Sequence, residues 1–230
     1  MQRLSDLILA SSALFLLSPL LICICFLLRI TGEGKIIYRQ QRLGQNLKPF
    51  WILKFATMLE ASPSMLTGSI TVPDDPRVLP VGKILRKTKL NELPQLFNVF
   101  LGNMSLVGPR PHVERDLEGI PKKDLMYCYS VKPGLTGIAS IIFRNEEGLL
   151  EGERDQRAFY RNVIAPYKNK LESWYVKNNK FSIYCTLIVL TIYSVFAGDS
   201  QVIFRFFPKL PLPPERLKKK FRNETTVRGG

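Results

Sequence analysis

The residues with chemical potential in this sequence are one carboxylate and four cations. Glu92 follows Asn91 in the stretch Asn91-Glu92-Leu93-Pro94-Gln95-Leu96-Phe97-Asn98-Val99-Phe100-Leu101, and Lys54, Arg77, Arg86 and Arg110 flank it along the chain. Phosphoryl transfer asks mainly for positioning and for neutralisation of oxyanions by Arg, Lys, helix N-termini and Mg²⁺. Lys54, Arg77, Arg86 and Arg110 are therefore candidate phosphate-binding cations, and Glu92 with Asn91 could offer an oxygen-rich corner to a metal ion. Each cation taken singly is also what a solvated surface charge looks like. Arg110 stands apart because it sits in Gly108-Pro109-Arg110-Pro111. Each proline fixes its own φ and biases the residue before it away from helix, so Pro109 and Pro111 make a rigid turn around the arginine. Rigidity is useful when a guanidinium must meet a phosphate or carboxylate in bidentate geometry. A simple loop turn with a solvated arginine is the plain alternative. The segment Val131-Lys132-Pro133-Gly134-Leu135-Thr136-Gly137 could cradle a phosphate through backbone N–H groups or be an ordinary glycine turn.

These groups need elements to hold them. Asn91 is a strong N-cap residue, Glu92 would open the helix, Pro94 is tolerated in the first turn and Gly102 suits the C′ position, which predicts a helix from residue 91 to 101. Lys83 to Lys89 is basic and reads as a helix or helix end. Between Lys35 and Met58, two runs rich in aromatic and β-branched residues flank Gly44-Gln45-Asn46, which favours a β-hairpin. Leu59 to Pro80 contains four prolines and reads as a long loop, and loops of that length inside a compact domain are often functional. Gln156 to Asn178 is charged and helix-prone. The fold class is α+β, a mostly helical domain with a small hairpin.

Composition bounds the partners. The 230 residues are 46% apolar and carry 33 Lys+Arg against 19 Asp+Glu, a net charge of +14. That is too apolar for a disordered chain, and no repeat is visible. The charge suits nucleic acid, an anionic membrane surface or phosphate-rich substrates. Leu7 to Leu28 is a run of 22 residues without a formal charge, and as a helix it would be about 33 Å long, enough for a hydrocarbon core of ~30 Å. A cleaved signal peptide is disfavoured by the length of the run, by Pro19 in its middle and by the lack of a small-residue cleavage site. Ser18-Pro19 predicts a kink: proline removes a helical hydrogen bond, and a serine hydroxyl can serve the freed carbonyl. The kinked helix could span with a bend or return to the same face as a re-entrant hairpin.

Arg29, Lys35, Arg39, Arg42 and Lys48 follow the run, which places the bulk of the chain on the cytoplasmic side. Phe181 to Ala197 is a second apolar run at the short limit for a spanning helix, read as an interfacial segment with a membrane segment as the alternative, and the tail from Lys209 is Pro-rich and then basic, suited to anionic headgroups or to mobility. The expected division is a membrane-inserted segment (1–34), a cytoplasmic-face domain (35–180), an apolar segment (181–208) and a basic tail (209–230). The basic residues adjoin apolar segments and no nucleic-acid module is recognisable, which argues against a nucleic-acid partner. Cys23, Cys25, Cys128 and Cys185 have neither zinc nor disulfide spacing and read as packing residues in a reducing compartment.

Taken in order, the N-terminal apolar segment with Ser-Pro, YRQQRLG, LKPFWILKF-x-TM, LRKTKLNELPQLFNVFLGNMSLVGPRP and SVKPGLTGIAS resemble the bacterial sugar transferases. These are small monotopic polyprenyl-phosphate phosphoglycosyl transferases that initiate polysaccharide or glycoconjugate assembly. The resemblance runs from about residue 1 to about residue 180, and the block from Leu85 to Pro111 is its most specific part. It implies transfer of a sugar 1-phosphate from a UDP-sugar to undecaprenyl phosphate, with Mg²⁺ and release of UMP, at the cytoplasmic face of the bacterial inner membrane. It also implies a re-entrant hairpin at Ser18-Pro19, lipid contacts, and downstream glycosyltransferases as possible partners. In the family an Asp-Glu pair carries the chemistry, the Asp attacking the β-phosphate. Here that Asp is Asn91, and Ala56 stands where KF-x-TM often has a basic residue. Three accounts stay open: Glu92 acts as nucleophile or metal ligand with Asn91 as N-cap and substrate donor; Asn91 inactivates a chain that still binds substrate; or the chain is a non-catalytic scaffold of the same fold.

Overall fold

The computed structural model describes residues 1–62, 75–114, 122–199 and 201–228. Much of the Leu59 to Pro80 loop lies outside them. Two N-terminal helices, α1 (Gln2–Leu16) and α2 (Ser18–Thr31), precede the antiparallel strands β1 (Ile37–Leu43) and β2 (Pro49–Phe55). Then come α3 (Pro80–Lys87), α4 (Gln95–Leu101), β3 (Ser105–Val107), α5 (Lys122–Cys128), β4 (Gly134–Thr136), α6 (Ile138–Ile142), α7 (Glu146–Leu150) and α8 (Gln156–Phe159). The chain closes with α9 (Ala165–Lys177), α10 (Phe181–Ala197), α11 (Ile203–Phe206) and α12 (Glu215–Arg228). The architecture is α+β and mostly helical.

The Ser18-Pro19 kink takes the form its chemistry dictates. Pro19 has no N–H to give the carbonyl four residues back, that of Phe15, and the Ser18 hydroxyl donates to that carbonyl at 2.7 Å instead. The two helices meet at 61°. No single helix among the described residues is long and apolar enough to cross a membrane, whereas the bent pair is, by length and composition.

Two polar side chains on α1 tie this segment to the rest. The Arg3 guanidinium donates to the carbonyls of Val99 and Phe100 at 2.6 and 2.8 Å, at the end of α4 where helical carbonyls lack partners. Asp6 is buried, and its Oδ1 accepts from the Ser105 hydroxyl (3.0 Å), the Leu106 N–H (2.8 Å) and the Tyr184 hydroxyl (2.8 Å). One carboxylate thereby joins α1, β3 and α10, three donors compensating its desolvation. Ala10 packs with Ile52, Leu96, Val99 and Met104, and Ile24 and Leu28 pack with Phe55 and Leu85. Residues 1–34 therefore share a core with the domain they precede.

The hairpin pairs Tyr38 with Lys54 and Gln40 with Ile52. Its reversal uses the left-handed residues Asn46 (φ 56°) and Leu47 (φ 60°) rather than Gly44. β3 and β4 form a second, parallel pair, too short to stand out by alternation. The largest core gathers α6, α7, α9, α10, α11 and α12. On α10, Tyr184, Leu187 and Leu190 face inward while Val189, Ile192 and Phe196 are exposed. Leu217 and Phe221 of α12 are buried in that core, and Glu153 binds Arg216 at 3.0 Å and Lys220 at 3.3 Å, so this part of the expected tail is a packed helix.

Candidate active site

The chain leaves α3 through Lys89, whose φ of 62° reverses the backbone into a 3-10 turn, Leu90–Glu92. Pro94 is the N-cap residue of α4, and Gly102 ends that helix in the left-handed conformation expected of it. Asn91 is thus not a helix cap: it precedes α4 in the 3-10 turn, and its buried Oδ1 has no hydrogen-bond partner among the described residues. Asn98 fixes α4 to the hairpin, its Oδ1 accepting from the Leu53 N–H (2.9 Å) and its Nδ2 donating to the Trp51 carbonyl (2.8 Å). Lys54, next along β2, reaches Glu92 Oε1 at 3.1 Å.

Arg110 arrives from the other side. The Gly108 N–H donates to the Thr136 carbonyl and the Gly134 N–H to the Pro109 carbonyl, each at 2.9 Å. A Cβ on Gly108 would fall 2.4 Å from the Lys132 carbonyl oxygen, so glycine is required by the close approach. The Arg110 N–H donates to Glu172 Oε1 at 3.3 Å. The rigidity expected from Pro109 and Pro111 is therefore extended by β4 and by α9. The N–H groups of Gly108 and Gly134 are spent on backbone pairing, so the glycine-bearing loop serves here to brace the Arg110 turn. The Arg110 guanidinium meets Glu92 Oε1 at 2.9 Å.

Two cations thus converge on one carboxylate oxygen. Glu92 and Lys54 side chains are 15% and 17% exposed, and Arg110 is 38% exposed, so the cluster opens to solvent through the arginine. Burial pushes the Glu92 carboxyl up, but Arg110 and Lys54 together outweigh it and hold it well below the usual carboxylate range. Burial pushes the Lys54 ammonium down to about 8, with Arg110 and Arg42 acting in the same direction and Glu92 against. Two residues beyond Arg110, burial and the nearby Lys168, Arg42 and Arg110 lower His112 to about 3, so its imidazole is neutral beside the Tyr129 hydroxyl at 3.2 Å.

The other two candidate cations are placed differently. Arg77 is enclosed: its Nε and a terminal nitrogen bind the two oxygens of Asp75 at 2.8 and 2.6 Å, and it donates to the Ser62 carbonyl at 3.0 Å. Both partners are 1% exposed, which makes Arg77 a fold-holding residue rather than a phosphate ligand. Arg86, on α3, lies against the Met58 sulfur at 3.7 Å.

Sequence reading passed over Glu172 and Lys168. Lys168 binds Glu146 Oε2 at 2.5 Å, and Glu172, one helical turn further along α9, accepts the Arg110 N–H. A signal was present: Ile164, Tyr167, Leu171 and Tyr175 form an apolar stripe at helical spacing, and Lys168 and Glu172 adjoin that stripe four residues apart.

No group of three or more His, Cys, Asp and Glu side chains that could hold a metal is present among the described residues. Mg²⁺, however, commonly takes one or two carboxylates and completes its shell with waters and substrate phosphates. Glu92 and the unpartnered Asn91 oxygen suit that partial role, and not a protein-only cage.

An ionised carboxylate between a lysine and a rigid arginine presents two cations that an anion could engage. The chain belongs to the bacterial sugar transferase family, whose pattern matches residues 1–198. It is 40% identical over 154 residues to the UDP-glucose:undecaprenyl-phosphate glucose-1-phosphate transferase of Escherichia coli (strain K12), a match covering 66% of this chain and 33% of that protein. It is 41% identical over 159 residues to the exopolysaccharide production protein ExoY of Rhizobium meliloti (strain 1021), covering 63% and 70%. To the undecaprenyl-phosphate galactose phosphotransferase of Salmonella typhimurium it is 35% identical over 193 residues, covering 77% and 37%. The matched region is thus about a third of the length of the Escherichia coli and Salmonella relatives.

Proposed function

We propose that this chain transfers a sugar 1-phosphate from a UDP-sugar to undecaprenyl phosphate, releasing UMP, as the first membrane step in building an exopolysaccharide, capsule, O-antigen or glycoprotein glycan. The observation that carries this reading is the convergence of Lys54 and Arg110 on Glu92 Oε1, at 3.1 and 2.9 Å. The activities for which the Escherichia coli and Salmonella relatives are named support the substrate classes.

The two cations that neutralise Glu92 in the free protein are the groups a diphosphate would draw to itself. As phosphate oxygens take over Arg110 and Lys54, Glu92 loses its partners beside the phosphorus, still ionised. A Glu92 carboxylate oxygen attacks the β-phosphorus, the bond from that phosphorus to the bridging oxygen breaks, and UMP leaves with the electron pair. An oxygen of undecaprenyl phosphate then attacks the same phosphorus and the bond to Glu92 breaks, regenerating the carboxylate. Arg110, held by its turn and by Glu172, stays in place through both displacements. Mg²⁺ held by Glu92 and Asn91 would supply charge neutralisation on the diphosphate when bound. Downstream glycosyltransferases would use the lipid-linked product.

The acceptor is lipid-borne, and the exposed apolar surface fits that. Phe15, Leu16, Ile22 and Phe26 project from the bent α1–α2 pair, which we read as a re-entrant hairpin placing the site at the cytoplasmic face of the inner membrane. The exposed face of α10 is read as interfacial, and part of the +14 charge as attraction to anionic lipids.

The test uses the full chain in vesicles containing undecaprenyl phosphate, with Mg²⁺ and a panel of UDP-sugars. UMP and a lipid-linked product should form, and should be lost in Glu92→Gln. Absence of UMP with every sugar, or an unchanged rate in Glu92→Gln, would overturn the reading. Activity confined to Asn91→Asp would mark the chain as a substrate-binding or scaffold member of its family.

A further inference from the structure

Arg110 has neighbours on two sides. Glu92 and Lys54 form one group at its guanidinium, while its backbone N–H is held by Glu172, one helical turn along α9 from Lys168, which with Glu146 and Tyr160 forms a second group that the transfer chemistry above does not use. In a nucleotide sugar the ring is bonded directly to the phosphate that Arg110 is read to hold. Groups that distinguish one sugar from another must therefore also adjoin Arg110. We propose that Glu146 and Tyr160, fixed by Lys168, form the wall of this site that reads the hydroxyl groups of the transferred sugar, a role that rests on the function proposed above.

The second group is built rather than incidental. The Lys168 ammonium lies 2.5 Å from Glu146 Oε2, 5.1 Å over the Phe143 ring and 5.3 Å over the Tyr160 ring. Its side chain is 10% exposed, whereas that of Glu146 is 29% exposed. A buried ion pair of this kind contributes little net stability, because desolvation offsets the attraction, but it fixes geometry. Here it fixes a carboxylate that reaches solvent and binds Lys168 through one oxygen. Carboxylates accept paired hydrogen bonds from neighbouring hydroxyls, and an aromatic ring beside them offers an apolar face to the C–H side of a sugar.

Two backbone features set this wall in register with the phosphate site. Tyr160 opens a π-helical turn, Tyr160–Ile164, between α8 and α9, and such turns occur frequently at functional sites. Glu172 lies one helical turn beyond Lys168 on α9 and accepts the Arg110 N–H, so α9 holds both Arg110 and the cation that orients Glu146.

The test compares binding of UDP with binding of UDP-glucose, UDP-galactose and UDP-N-acetylglucosamine to the full chain, by calorimetry, in the unaltered protein, Glu146→Gln and Tyr160→Phe. UDP affinity should stay within about twofold in both variants, while the best-bound UDP-sugar weakens about tenfold or more in Glu146→Gln and the preference across the panel flattens. Tyr160→Phe removes only a hydroxyl and should flatten the preference in the same direction, so it decides the matter if thermal melting shows Glu146→Gln to be misfolded. Unchanged sugar preference in both variants, or equal loss of UDP and UDP-sugar affinity, would overturn this inference and leave the proposed function standing. Failure of the unaltered chain to bind UDP or any UDP-sugar would overturn both.

Discussion

Two arginine–carboxylate pairs in this chain have the same chemistry and different work. Asp75 and Arg77 are each 1% exposed and meet through both carboxylate oxygens, with a third guanidinium donor taken by the Ser62 carbonyl. That pair is closed, and a phosphate could approach it only by dismantling it. Arg110 and Glu92 meet through one oxygen that Lys54 shares, and the arginine is 38% exposed. This pair is open, and an incoming anion can exchange for the carboxylate on both cations. What separates the open arginine from the fold-holding one is therefore the state of its partner, not its type or its place near Glu92 in sequence.

The contrast can be broken from either side. Asp75→Asn strands a buried guanidinium and should cost about 3–5 kcal/mol of stability, read as lowered thermal or denaturant resistance. The fraction that remains folded should keep its specific activity. Glu92→Gln should instead lower UMP release on the order of 1,000-fold, with a loss of stability smaller than that of Asp75→Asn because the cluster is open to solvent through Arg110. Loss of specific activity in folded Asp75→Asn would make the closed pair part of the site after all.

A pH series sharpens the comparison by isolating the support behind Arg110. Burial raises the Glu172 carboxyl to about 7, above its value in an unfolded chain. A carboxyl that binds its proton more tightly when folded withdraws stability as pH rises through that interval. The unaltered protein should therefore lose about 3 kcal/mol relative to Glu172→Gln between pH 4.5 and 8. Urea denaturation at several pH values measures the difference directly, and His112, neutral in the fold and common to both proteins, cancels. The smallest expected effect is that of Arg110→Lys, a roughly 100-fold fall in UMP release, since a lysine keeps the charge and loses the fork. Arg77→Lys should instead register mainly in stability.

Local chemistry was legible in the sequence where one short segment decides the outcome. Ser18-Pro19 gave the kink and the donor that repairs it, Gly102 the helix end, Gly108 to Pro111 the rigid turn, and the runs around Gly44 the hairpin. What escaped depends on partners distant in the chain. Asp6 reads as the polar edge of an apolar run, yet its carboxylate accepts from Tyr184, 178 residues away. Lys168 and Glu172 read as charges of a solvated helix until Arg110 and Glu146 are brought against them. Arg77 read as a phosphate ligand because nothing local shows that Asp75 folds back to enclose it. Asn91 read as a cap because the left-handed Lys89, which places it in a separate turn ahead of α4, is not a glycine.

The central claim is that Glu92 receives the phospho-sugar once phosphates have taken over the hydrogen bonds that Lys54 and Arg110 give it. Mixing the protein with a UDP-sugar labelled in the sugar, with Mg²⁺ and without undecaprenyl phosphate, tests this most directly. The expected result is a burst of about one equivalent of UMP, with the label on the peptide that contains Glu92 and discharged on adding undecaprenyl phosphate. Turnover in the presence of acceptor with neither burst nor protein-bound label in its absence would contradict it.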